Sequence, residues 1–137
     1  MLRKLFLAIA FFGILTSVPA AAATHDPLFV NLTTDEGHRA SMAVMFSRSM
    51  LERGHPVTIW LNDRGVFLAS KKSTGTFGEQ QKALAELMAK GAVVIVCPFC
   101  AKHYGVMEAD FIDGAKLGNP DLTGGLLFKD GTTTLTW

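Results

Sequence analysis

A short apolar run that leads into the chain's two cysteines constrains the fold more than any other stretch. Residues 93–96 read VVIV, and this β-branched, apolar run is too short for a helix. A run that is apolar on both faces is typical of a parallel strand with other elements packed on each side. The sequence therefore predicts a central parallel strand at Val93–Val96 and, with it, an α/β sheet.

The next four residues, CPFC, are typical of the start of a helix. Proline fits the first helical position because its missing N–H has no partner there, so Cys97 is expected to cap the helix. Free backbone N–H groups and the positive end of the helix dipole favour a thiolate at that position. Ligands also bind beyond the carboxyl ends of strands in open α/β sheets. We therefore predict that Cys97 is a nucleophile.

Strands and helices alternate along the rest of the chain. Their apolar periods predict strands at 28–33, 56–61 and 132–137 and helices at 37–53 and 79–90. An alternation of this kind with short connections requires a parallel sheet with helices on both faces. The pattern predicts one α/β domain.

Three connecting stretches are less regular. Residues 71–78 (KKSTGTFG) are polar and contain glycine, which predicts a mobile surface loop. The apolar pair Phe111 and Ile112 predicts a weak fourth strand or a turn. Residues 120–128 predict a last helix with Asn119 as its N-cap, and the alternative is a hairpin.

The first 23 residues are typical of a cleavable export signal. Arg3 and Lys4 precede an apolar stretch at residues 5–15, and Ala22 and Ala23 offer cleavage points. The apolar stretch is short for a membrane span. We therefore expect residues 1–23 to be a signal peptide and residues 24–137 to form one domain in the periplasm, without stable membrane association after cleavage.

The charge balance excludes one class of partner. Without Arg3 and Lys4 the chain has 11 basic and 12 acidic residues, a formal charge of −1. Nucleic acids select basic surfaces, so no nucleic-acid partner is expected. No glycine-rich phosphate loop follows the first strand, and the sequence indicates no cofactor.

The two cysteines admit three interpretations. A disulfide between Cys97 and Cys100 would close a very short loop and stabilise the fold little. A metal site could use Cys97, Cys100 and His103, which is one ligand short of a closed zinc site, although two thiolates would suit Cu(I). Thiol chemistry, with Cys97 attacking and Cys100 resolving, is favoured over both.

Three further residues are candidates to bind or modulate substrate. His103 follows the cysteines within two helical turns and could bias the thiolate. His38 and Arg39 open the first helix, near the same sheet edge if the first and third strands are neighbours, and Arg39 could hold an anionic substrate.

The stretch from Val94 to Gly105, VIVCPFCAKHYG, resembles the DsrE/DsrF-like (YchN- and TusD-like) family of sulfur-relay proteins. In this family a strand ends in a cysteine, often within CxxC, and a glycine follows one or two helical turns later. The likeness extends to FVNLT at 29–33, GHPVTIWLN at 54–62 and the closing LTW, so that it covers residues 27–137.

The resemblance implies a fold and a function. The fold is a three-layer α/β/α sandwich with a mostly parallel five-stranded sheet, commonly assembled into homo-oligomers. The function is that of an exported persulfide carrier or sulfurtransferase-type protein, with sulfur on Cys97, Cys100 as second thiol, and an unidentified sulfur donor and acceptor. Two alternatives stay open: a thiol-disulfide redox protein, and a copper- or zinc-binding module.

Overall fold

The computed structural model describes residues 25–137. The predicted signal peptide, residues 1–23, lies outside the described residues. Five strands are present: β1 (Leu28–Leu32), β2 (Val57–Leu61), β3 (Val93–Val96), β4 (Lys116–Leu117) and β5 (Thr133–Thr136). The α-helices are α1 (Gly37–Glu52), α2 (Thr74–Ala89), α3 (Pro98–Tyr104) and α4 (Pro120–Leu127).

All strand pairs in the sheet are parallel, and the strand order is β4-β3-β2-β1-β5. The predicted α/β class with a five-stranded parallel sheet is therefore confirmed. β3 is an interior strand as the β-branched run predicts, although the middle strand of the sheet is β2. Because every strand runs in the same direction, all their carboxyl ends meet at one edge.

The two faces of the sheet are covered differently. Val30, Ile59 and Val94 are in register across β1, β2 and β3, and they are fully buried in the core to which α1 and α2 contribute. On the opposite face Trp60 is only half-buried, and it lines a cavity together with residues of α4. No residue of α4 is itself buried. The three layers are therefore unequal, and the α4 layer is thinly packed.

The prediction of a mobile loop at residues 71–78 is wrong. A 3₁₀ turn spans Lys71–Ser73, and α2 already begins at Thr74. The polar side chains are used internally: Gln81 Nε2 donates to the carbonyl of Ser70 at 2.8 Å, and Thr74 Oγ1 donates to Gln81 Oε1 at 2.8 Å. Phe77 is buried. These contacts give the stretch defined partners that its polar composition does not indicate.

The prediction for the fourth strand also needs correction. Phe111 forms only an isolated antiparallel bridge with Ser70, and β4 lies later, at Lys116–Leu117. A strand of two residues is too short for an apolar period to reveal it. The last helix is confirmed: Asn119 Oδ1 accepts the N–H of Leu122 at 2.8 Å and caps α4, which excludes the hairpin.

Within residues 25–137, no helix has both the length and the apolar character needed to cross a membrane.

Candidate functional site

Cys97 lies at the junction between β3 and α3. Its backbone is extended, and its N–H donates to the carbonyl of Leu61 at 2.9 Å, which continues the pairing with β2 for one residue. Its Sγ accepts the backbone N–H of Cys100 at 3.5 Å, and Pro98 occupies the first turn of α3. The predicted role of Cys97 as N-cap is confirmed. Only 7% of Cys97 is exposed, so access to this residue is restricted.

Cys100 lies one turn along the helix and differs from Cys97 in its surroundings. Both cysteines are free thiols, and Cys100 is half-buried. Burial raises the pKa of the Cys100 thiol, and the neighbouring Cys97 side chain raises it further. The Cys97 sulfur, in contrast, accepts the backbone N–H of Cys100.

A small apolar cavity opens beside Cys97. It encloses about 200 Å³ between the end of β2, the start of α3 and the loop into α4. Its walls are formed by Trp60, Cys97, Pro98, Phe99, Gly118, Asn119, Pro120 and Thr123. Of these described residues none carries a charged side chain. The cavity therefore offers an uncharged, mostly apolar space beside Cys97.

Gly118 allows the loop before α4 to approach β3. A Cβ at this position would lie 2.9 Å from Ile95 Cγ2 and 3.1 Å from the carbonyl oxygen of Val96. Glycine is thus required by the close approach of the loop to the strand. The loop that bears Asn119 and Pro120 consequently forms one wall of the cavity.

On the side of α3 that Tyr104 occupies, a polar network joins the ends of β1, β2 and α3. Tyr104 donates its hydroxyl to Asp63 Oδ1 at 2.5 Å. Arg64 forms two hydrogen bonds with the Asp35 carboxylate, at 2.9 and 2.6 Å, which lower the pKa of Asp35. The Arg64 guanidinium also lies over the rings of Phe67 and Tyr104. This network holds α3 against the turn after β2.

Tyr104 is the chain's one tyrosine, so tyrosinate absorbance should report this network directly. The hydrogen bond to Asp63 raises the pKa of the Tyr104 phenol because it stabilises the neutral form. We expect wild-type protein to titrate above the range of a free tyrosine and Asp63→Asn to titrate at lower pH. The raised pKa means that the neutral Tyr104 phenol stabilises the folded protein. This contribution is complete below the pKa of Tyr104 in the unfolded chain, and it is lost as the pH rises through the pKa of Tyr104 in the folded protein. Equal midpoints in the two proteins would exclude the hydrogen bond as the cause.

A sequence model of the DsrE/DsrF-like family matches residues 27–129. The chain belongs to the DsrE/DsrF-like family. Membership supports a function of the sulfur-relay type, and members of the family typically act with partners in such relays.

The chain is also similar to individual proteins. The chain is 40% identical over 83 residues to the "Uncharacterized protein MJ0989" of Methanocaldococcus jannaschii. The matched region covers 58% of this chain and 70% of that protein. The fold is similar to the crystal structure of the ychN protein from E. coli, with a TM-score of 0.70, 15% identity and coverage of 82% of this chain and 99% of that one. It is also similar to MTH1491 from Methanobacterium thermoautotrophicum, with a TM-score of 0.66, 15% identity and the same two coverages. The structural likenesses establish the fold.

In this DsrE/DsrF-like chain the metal set predicted as an alternative is not assembled. His103 is exposed, and its ring packs edge-on against Tyr104 at 4.7 Å between centroids. Among residues 25–137, no three His, Cys, Asp or Glu side chains are grouped so that they could hold a metal ion. His103 does not line the cavity beside Cys97. No contact within the cavity wall therefore supports its predicted influence on the Cys97 thiolate.

His38 and Arg39 open α1 as predicted, but the premise for their role in the site is wrong. β2 lies between β1 and β3, so the first and third strands are not neighbours. Both residues are exposed, and their backbone N–H groups donate to the Glu36 carboxylate. Neither residue lines the cavity beside Cys97.

Several residues of the site were missed by sequence reasoning. Trp60 and Thr123 meet in the cavity wall although they are far apart in the chain. Asp63 has a positive φ of 44°, which is unusual for a residue other than glycine. The one available signal was position: Asp63 and Asn119 each come shortly after a strand, at the edge where Cys97 lies.

Proposed function

We propose that this protein is an exported persulfide carrier or sulfurtransferase-type member of the DsrE/DsrF-like family, with sulfur held on Cys97. The observation that supports it is the setting of the Cys97 sulfur. It ends an interior strand, accepts the N–H of Cys100 at 3.5 Å and opens onto an apolar cavity. A sulfur atom bound there would lie beside a mostly apolar space that a small molecule can enter.

The loading step is a displacement at sulfur. The Cys97 thiolate attacks the outer sulfur of a donor persulfide, R–S–SH, and forms Cys97–S–SH. The S–S bond of the donor breaks, and its electron pair leaves with R–S⁻, which then takes a proton from solvent. One sulfane sulfur changes carrier, and no external oxidant is needed.

Cys100 provides a route by which the sulfur leaves. Once deprotonated, its thiolate can attack the Cys97 sulfur, release HS⁻ and leave a Cys97–Cys100 disulfide. A dithiol reductant must then restore both thiols. The high pKa of the Cys100 thiol slows this step at neutral pH, which gives the persulfide time to reach an acceptor.

The second candidate is a thiol-disulfide redox protein. It is favoured by the position of Cys100 one helical turn after Cys97, where the Cys100 backbone N–H already donates to the Cys97 sulfur at 3.5 Å. The two functions differ in the species that accumulates. A carrier accumulates Cys97–S–SH, whereas a redox protein cycles between the dithiol and the disulfide.

Intact mass under native, non-reducing conditions tests the proposal. After mild treatment with polysulfide, the protein should gain the mass of one sulfur atom, and peptide mapping should place it on Cys97. Loss of two hydrogens without any gain of sulfur would instead support the redox candidate. Retention of copper after copper treatment would support the metal-binding alternative.

Export to the periplasm rests on residues 1–23 alone. Expression of the full chain in a Gram-negative host should yield a periplasmic protein that begins at Ala23 or Thr24. Recovery of the uncleaved chain from the cytoplasm would exclude export.

We further propose a homo-oligomer, with an unidentified sulfur donor and acceptor as its partners. The exposed side of α1 carries large apolar side chains, Met42, Met45 and Phe46, with Met45 60% exposed. Association would remove this apolar surface from water. Light scattering on wild-type protein should give a mass of at least two chains, and Met45→Glu should lower it by placing a charge in the contact. A monomer at high micromolar concentration would contradict the proposal.

A further inference from the structure

We propose that the cavity beside Cys97 binds a sulfur donor that is uncharged and carries a small apolar substituent, namely an alkyl or aryl persulfide in its neutral form. Phe99 is the residue of the cavity wall that contributes most to this selectivity. This rests on the proposed function in one respect only, that Cys97 is the sulfur that reacts. The inference adds the chemical class of the donor and the residue that determines specificity.

The size of the cavity limits the donor. Its volume of about 200 Å³ lies below the roughly 300–1,000 Å³ of pockets that enclose drug-sized ligands. A benzyl or short alkyl group is small enough to occupy such a space, with its sulfur directed at Cys97. A folded protein could reach the sulfur only by inserting a side chain of comparable size.

The walls of the cavity select against charge. Among the described residues that form them, the polar side chains are those of Trp60, Asn119 and Thr123, together with the Cys97 thiol, and no lysine or arginine faces the space. An anion placed there would lose its hydration and would meet no lysine or arginine in the wall. The first turns of α3 and α4 border the space, but the Cys97 sulfur and Asn119 Oδ1 each already occupy one of their free backbone N–H groups. An anion would also be repelled by the Cys97 thiolate that it must approach. Thiosulfate and other anionic donors are therefore disfavoured.

Phe99 lies at the mouth of the cavity and is 83% exposed. Because α3 begins at Pro98, the backbone of Phe99 is fixed in the first turn of the helix. Trp60 also lines the cavity and is half-buried, and within residues 25–137 its Nε1–H has no hydrogen-bond acceptor. An apolar substituent between these two aromatic side chains would remove area of both from water and gain contacts with their rings.

Binding can be measured without any sulfur transfer. Trp60 lines the cavity, so in a Trp137→Phe background its fluorescence reports the cavity alone. The probes are benzyl methyl sulfide, which is uncharged and unreactive, and the same molecule with a carboxylate on its ring. We expect the uncharged probe to bind at least roughly tenfold more tightly than the anionic one.

The chain supplies a matched control for Phe99. Phe128 is 82% exposed and does not line the cavity, so both Phe→Ala changes remove an equally exposed ring. We expect Phe99→Ala to weaken the uncharged probe roughly threefold to tenfold, whereas Phe128→Ala leaves its affinity unchanged. Benzyl persulfide should likewise load sulfur onto Cys97 less efficiently in Phe99→Ala than in Phe128→Ala.

The outcomes separate this inference from the proposed function. Equal binding of the two probes, or equal losses in the two variants, would overturn the inference. Selective binding without sulfur loading would leave the cavity as a binding site and reject the carrier function. A Phe99→Ala protein that binds normally but has a smaller assembled mass would assign Phe99 to a contact between copies of the chain, and would also overturn the inference.

Discussion

A Cys97→Ser protein is expected to take up no sulfane sulfur when wild-type protein loads one sulfur atom per chain. Serine is a good helix N-cap, and its Oγ can accept the N–H of Cys100 in place of the Cys97 sulfur. The fold and the cavity should therefore persist while the nucleophile is removed. Intact mass and release of the sulfane sulfur by cyanide would measure the loss, and circular dichroism would confirm the fold.

Cys100→Ser is the matched control for that experiment. It should still load sulfur, and its persulfide should last roughly tenfold longer or more, because the intramolecular thiol that displaces HS⁻ is absent. If Cys97→Ser loads sulfur and Cys100→Ser does not, the roles of the two thiols are reversed. Normal loading in both variants would reject thiol carriage altogether.

Predictions that rest on contiguous backbone signals succeeded. The β-branched run at 93–96 and the proline after Cys97 are contiguous signals, and the structure has both the strand and the cap. Asn119 before Pro120 is a signal of the same kind. Each of these elements is determined by backbone preferences of adjacent residues, so no knowledge of distant contacts is needed.

The predictions that failed depended on pairs distant in the chain. Gln81 satisfies the carbonyl of Ser70, and Lys71 pairs with Asp113, so residues 71–78 are ordered by partners that composition does not show. The cavity is likewise formed by Trp60 and Thr123 from opposite halves of the chain. Spacing within one segment indicated Cys97 as the candidate nucleophile, but only the fold could show the cavity beside it.

Gly65→Ala is expected to lower the free energy of unfolding by about 3 kcal/mol, at the upper end of the usual range for overpacking. A Cβ on Gly65 would lie 2.2 Å from the carbonyl oxygen of Leu32 at the end of β1. This neighbour is backbone of an interior strand, so no side-chain rotation can relieve the contact. The turn after β2 would therefore have to move. Its movement is opposed by the hydrogen bond that the Gly65 N–H donates to the carbonyl of Asn62 at 2.9 Å.

Gly125→Ala is the control, because a Cβ at that position in α4 meets open space. It should be neutral or stabilise the protein by roughly 0.5–1 kcal/mol, the usual preference for alanine over glycine in a helix. Urea unfolding at a fixed protein concentration measures both variants. A Gly65→Ala protein as stable as Gly125→Ala would show that the turn adapts freely.

The same substitution should also change the titration of Tyr104. Asp63 lies in the same turn as Gly65 and accepts the hydroxyl of Tyr104, so Gly65→Ala should lower the pH at which Tyr104 titrates, whereas Gly125→Ala should leave it unchanged.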